Sequence, residues 1–139
     1  DHKEHKYIEE SGTMNLMLLI GDTFVTPPLT DRILAGVTRR SIITLVKEQG
    51  WAIEERPVTV DEIVEAARTG ALKEAFGMGT AAVVSQIDTI GHEGTNYSIP
   101  TPADGKAMEI KRLLNDIRLG RTPDINQWMV DVVQPATAE

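Results

Sequence analysis

Three short stretches place glycine beside a hydroxyl or a carboxylate at the end of an element, where binding groups tend to lie. Glu10-Ser11-Gly12-Thr13 precedes the apolar run Met-Asn-Leu-Met-Leu-Leu-Ile. A carboxylate at the mouth of a buried strand can hold a cationic partner, and glycine lets backbone approach it. The plainer reading is a solvated strand start with a flexible hinge. Ala35-Gly36-Val37-Thr38 stands at an expected helix start. The free N–H groups of a first turn, with the helix dipole behind them, suit a phosphate. The Arg39-Arg40 pair can add charge there, although such pairs more often face solvent. The plainer reading is an ordinary glycine entry to a helix. Phe76-Gly77-Met78-Gly79-Thr80-Ala81 reads as a glycine turn whose amides and hydroxyl can converge on an anion, or as a tight turn and nothing more. It is neither a Walker loop nor a GxGxxG helix entry.

These stretches need elements to hold them. Residues 13–20 read as a buried strand, being short and apolar throughout. Gly21-Asp22 then turns into a partner strand, "TFVTPP", stopped by Pro27 and Pro28. A helix is expected from near Gly36-Val37, with Ile42, Leu45, Val46 and Gln49 on one face and Gly50 at its end. Trp51 to Val58 alternates as a strand. Thr59 to Glu62 has capping-box spacing, and Gly70 closes the helix that follows. Residues 80–87 read as a β-branched strand, "HEGTNYSIP" as a hairpin, and Ala103 to Leu119 as an amphipathic helix closed by Gly120. The tail "TPDINQWMVDVV" carries Trp128 and Met129, which can dock on the body. Strands alternating with helices in 139 residues give one α/β or α+β domain.

Composition narrows the partners. The net charge is −7, which argues against nucleic acid or an anionic membrane surface. An anion bound here is held locally, by backbone amides and a few placed donors. With no cysteine there is no disulfide and no thiolate metal site, which agrees with a cytoplasmic protein. No apolar run approaches the roughly 18 residues of a membrane span. The opening DHKEHK is not a signal peptide. His2 and His5 lie in a charged segment expected to be exposed, which disfavours a metal site. Neither HExxH nor GxSxG occurs, so hydrolytic readings have no support.

Taken together, "EHKYIEESGTMN", "TPPLTDRILAGVTRRS" and "LKEAFGMGTAAVV" resemble the branched-chain amino-acid aminotransferases, pyridoxal-phosphate enzymes of the D-amino-acid-aminotransferase-like fold (fold type IV). The resemblance runs from residue 1 to about residue 130, with motif order and spacing kept. It implies a mixed-sheet pseudo-barrel, the large domain of that fold, with residues 1–139 as its C-terminal, cofactor-binding part. It implies that Glu10 pairs with the pyridine nitrogen of pyridoxal 5'-phosphate and keeps it protonated, so that the ring serves as an electron sink. Thr13 is implied beside cofactor and substrate, Val37 and Thr38 as phosphate-holding amides, Thr80 as a phosphate-contacting hydroxyl, and Ala81 as a backbone N–H for the substrate carboxylate. The implied reaction moves the amino group of leucine, isoleucine or valine to 2-oxoglutarate. The implied assembly is a homodimer or higher homo-oligomer.

Two departures matter. Some members carry Cys-x-x-Cys after the Gly-Thr pair, and here those positions are Ala82 and Ser85. The family's Schiff-base lysine lies upstream of the motif holding Glu10, and only Lys3 and Lys6 precede Glu10, in the wrong context. The chain is therefore expected to be a fragment, inactive alone, with no catalytic residue of its own. Within the fold, a D-amino-acid aminotransferase or an aminodeoxychorismate lyase is the alternative. Outside it, the rival is a non-catalytic module for assembly or phosphate binding.

Overall fold

The computed structural model describes residues 1–132; the last seven residues of the expected domain, 133–139, lie outside it. The centre of the fold is β3 (Met14–Ile20), and around it run β1 (Tyr7–Ile8), β2 (Glu10–Ser11), β4 (Thr23–Thr26), β5 (Ala52–Glu55) and β6 (Val58–Thr59). Further along come β7 (Leu72–Gly79), β8 (Val83–Gln86), β9 (Thr89–His92) and β10 (Thr95–Ser98). Three helices complete the set: α1 (Val37–Glu48), α2 (Val60–Thr69) and α3 (Lys106–Arg118). The main sheet has the order β5-β4-β3-β7-β8, with β2 also paired to β3. It is mixed, because β4 and β5 are parallel and the other pairs antiparallel.

The unbroken apolar run of β3 has a physical cause: both faces of the sheet are covered. Met17 and Leu19 join Phe24, Phe76 and Met78 under α1 and α3. Leu16 and Leu18 join Val25, Ala75 and Leu72 under α2, which contributes Ile63 and Ala66. A register shift between Leu19 and Ile20 pairs Leu19 with Glu74 but Ile20 with Leu72. The extra residue, Lys73, turns Leu72 to the α2 side while Glu74, Phe76 and Met78 keep to the α1/α3 side, as a β-bulge does.

Local signals set several boundaries. Thr59 Oγ1 accepts from the Glu62 backbone N–H at 3.1 Å and so caps α2. Gly70, at φ 75°, ends that helix in the left-handed region. Glu93 and Gly94, at φ 48° and 77°, form the two-residue turn of the β9–β10 hairpin.

The expected strand Trp51 to Val58 is two strands, interrupted at Arg56-Pro57, since proline cannot donate to a ladder. The glycine stretch at 77–79 is not a turn but the end of β7, and the turn is Thr80-Ala81-Ala82. A Cβ on Gly77 would come within 2.8 Å of the Met14 side chain and one on Gly79 within 3.0 Å. These glycines admit Met14 across the sheet. The third helix begins three residues later than expected, at Lys106.

Candidate active site

Gly36 N-caps α1 with extended backbone (φ −62°, ψ 135°) and supplies no side chain to its first turn, which also contains no acidic residue. The opening amides of Val37 and Thr38 thus lack a capping side chain, and the dipole there favours an anion. Across the sheet, Thr80 begins the β7–β8 turn. Val37, Thr38 and Thr80 line one open cavity of about 240 Å³, with Val83, Leu114, Ile117 and Trp128 on its other walls. Ser41, one turn into α1, and Arg118, at the end of α3, line it as well. Sequence reading did not single out these two. Helical spacing from Val37 and Thr38 signals Ser41, whereas nothing local connects Arg118 with α1.

The turn that carries Thr80 is tight. Val84 N donates to Ala82 O at 2.7 Å, and the intervening Val83 has φ 62°. A β-branched residue at positive φ is strained, and such strain collects beside binding sites. Trp128 packs on the core, while Met129 stays half exposed. Asp124 holds this tail in place: its Oδ2 accepts from Met129 N at 2.7 Å. That backbone hydrogen bond from Met129 holds the Asp124 carboxyl below its ordinary value.

Glu10 is half-buried on β2, opposite Asn15 in register. Its Oε1 accepts from Leu34 N at 2.7 Å and from Asn15 Nδ2 at 3.1 Å. Leu34 belongs to the loop that delivers Gly36 and Val37, so the carboxylate is anchored to the approach of α1. Glu10 itself borders a separate, mainly apolar cavity of about 230 Å³ with Ile8, Leu16, Ile63 and Ile90. Its neighbour Glu9 takes a different partner, Arg32, at 2.9 Å.

Thr13 and Ala81 lie on exposed turns and line neither cavity. The two turns share one end of the sheet, because Ser11 pairs with Met14 and Asn15 pairs with Met78. Arg39 does not face solvent. It is 4% exposed, and one of its terminal nitrogens donates to Pro27 O at 3.0 Å and to Glu55 Oε2 at 2.9 Å. Its charge is thereby spent on the sheet edge, and Arg40 is the exposed member of the pair.

The arrangement offers a carboxylate on β2, anchored to the loop before α1, and at the end of that loop an uncapped helix start with three hydroxyl residues and a guanidinium around a hollow. The carboxylate and the helix start line two separate cavities, linked through the loop that carries Leu34.

A protein-family model described as Amino-transferase class IV matches residues 2–90. The chain is 40% identical over 133 residues to a probable branched-chain-amino-acid aminotransferase of Staphylococcus aureus (strain N315), covering 95% of this chain and 37% of that protein. It superposes on the branched-chain amino acid aminotransferase of Escherichia coli with a TM-score of 0.75 and 26% identity, over 92% of this chain and 40% of that one. The branched-chain aminotransferase of Thermoproteus uzoniensis with norvaline gives a TM-score of 0.74 and 28% identity, over 91% and 38%. The chain therefore spans well under half the length of the relatives it matches.

Proposed function

The chain belongs to the class IV aminotransferases, and from that premise we propose that it forms the cofactor-binding part of a pyridoxal-phosphate enzyme. The enzyme exchanges the amino group of leucine, isoleucine or valine with 2-oxoglutarate. The observation that carries this reading is the anchoring of Glu10 to Leu34 N, 2.7 Å away, on the loop that leads into α1, whose first residues line the cavity with Thr80. The names of the relatives support the substrate class.

Bound in this site, pyridoxal phosphate supplies an electron sink for charge developing at the substrate α-carbon. The residues of this chain do the holding. Glu10 would keep a proton on the ring nitrogen, and one of its oxygens is already fixed by two donors. Val37 and Thr38 present amides to the phosphate, and Thr80 and Ser41 present hydroxyls. Arg118 adds a positive charge at the rim. Trp128 walls the cavity from the tail side and reduces its access to water. Thr13 and Ala81 flank the substrate from the two turns at the same sheet end.

The working assembly is a cytoplasmic homodimer or larger homo-oligomer. No helix among the described residues is long and apolar enough to cross a membrane.

The test is direct. The complete protein, reconstituted with pyridoxal phosphate, is assayed with leucine, isoleucine and valine against 2-oxoglutarate. Formation of the three branched 2-oxo acids with stoichiometric glutamate is expected. Turnover of D-alanine alone would favour the D-amino-acid branch of the fold, and absence of cofactor binding would favour a non-catalytic module.

A further inference from the structure

Asn15 is a buried polar residue in an otherwise apolar strand, only 5% exposed. It lines neither cavity, so it has no route to a ligand of its own. Its amide is nonetheless engaged on both sides. Nδ2 donates to Glu10 Oε1 at 3.1 Å and to Leu34 O at 2.9 Å. The same Leu34 donates its N–H to Glu10 Oε1 at 2.7 Å and accepts from Gly36 N at 2.8 Å. On the other side, Asn15 Oδ1 lies against Gly36, so that a Cβ built there would overlap it. A buried donor left unmade is costly, and a fully satisfied network is rigid. Glu10, Asn15, Leu34 and Gly36 therefore form one closed unit.

We propose that Asn15 is a positioning residue that fixes the distance between the Glu10 carboxylate and the phosphate-facing start of α1. This rests on the proposed cofactor site and adds a consequence to it. The two ends of a pyridoxal-type phosphate are bound by groups whose spacing is set by one buried amide rather than by the ligand. Gly36 is required in this unit because any side chain there would displace the Asn15 oxygen.

The experiment compares pyridoxine 5'-phosphate with pyridoxine, which bind without covalent chemistry, on the complete protein. In the unmutated protein the phosphate raises affinity strongly, because both ends are met at once. Asn15→Leu keeps the approximate size of the side chain and removes both donors without adding a charge. Gly36→Ala displaces the amide while Glu10 itself stays unsubstituted. Each is expected to lower the affinity ratio of the phosphorylated to the unphosphorylated probe about tenfold, the worth of one lost hydrogen bond in alignment. A residue with a purely structural role would lower the melting temperature and leave that ratio alone. A folded variant with a ratio within about twofold of the unmutated protein would overturn the proposal.

Hydrogen exchange of the unmutated protein needs no variant. Saturating inorganic phosphate should slow exchange at the Leu34 amide as well as in the first turn of α1. Slowing confined to α1 would equally overturn the proposal. Failure of the probes and of phosphate to bind at all would instead count against the cofactor site itself.

Discussion

Glu74 Oε2 lies 2.9 Å from the backbone nitrogen of Ala107, and Oε1 lies 2.8 Å from that of Lys106. A carboxylate from the centre of the sheet thus caps a helix more than thirty residues downstream, satisfying two first-turn donors that Gly105 cannot reach. Glu74 is 4% exposed, so water cannot replace it. Glu74→Ala should destabilise the protein by about 2–4 kcal/mol, from the lost charged hydrogen bonds and the hollow left behind. Glu74→Gln should cost less, since its oxygen still accepts one of the two bonds. Urea unfolding of the variants checks both the size and the order.

Glu10→Gln should leave the fold intact, because the glutamine oxygen can accept from Leu34 N and Asn15 Nδ2 as Oε1 does now. The second oxygen becomes an NH2 group, which cannot accept a proton-bearing ring nitrogen. Turnover of leucine by the complete enzyme should fall ~100-fold or more, roughly 2.7 kcal/mol of transition-state stabilisation. Near-native turnover would reduce Glu10 to a strand end.

What was legible in the sequence was local. The apolar run of β3, the glycine start of α1, the Thr59 cap and the Glu93-Gly94 hairpin each depend on neighbours within a few residues. What was hidden depends on chain brought from afar. The Glu74 cap joins residues 33 apart and delays α3 to Lys106. Gly77 and Gly79 resemble a turn in sequence, but their cause is the Met14 side chain across the sheet. Arg39, expected in solvent, is drawn inward by Glu55 on β5 and the Pro27 carbonyl. In the site, the motif stretches were legible and the links between them were not. Asn15 gave one cue, a lone amide in an apolar strand, but its bond to Leu34 O, 19 residues away, is tertiary.

The capping-box glutamate has a second attachment. Instead of returning to Thr59 N–H, Glu62 forms a two-pronged pair with Arg56, at 2.9 Å and 2.6 Å. Hydrogen bonding to Arg56 holds the Glu62 carboxyl below the usual glutamate value and raises the Arg56 guanidinium. Because the folded pKa is depressed, this pair stabilises fully above the unfolded value of about 4.3 and fades as pH falls through the folded pKa. Glu62→Gln should therefore be less stable than the unmutated protein at pH 7, by up to about 1 kcal/mol for a pair this exposed. The difference should vanish in strong acid. Thermal unfolding across pH 2–7 reads the convergence, and a constant gap would show that the pair contributes through packing instead.

Thr80 tests the phosphate end independently of the ring end. Thr80 opens the β7–β8 turn and lines the cavity shared with Val37 and Thr38. The α1 amides should carry the larger share of phosphate binding, since several point at the same oxygens with the dipole behind them. The hydroxyl adds one charge-assisted bond, of order 1.5–3 kcal/mol when buried. Thr80→Val keeps the β-branched shape of the side chain and removes only the hydroxyl. In the complete enzyme it should weaken cofactor retention by about ten- to a hundredfold, measured by dialysis followed by fluorescence titration. The absorbance of the bound cofactor should hardly change, because the ring and Glu10 are untouched. Unaltered retention with a changed spectrum would mean that Thr80 faces the ring rather than the phosphate, and the assignment of the two ends would have to be reversed.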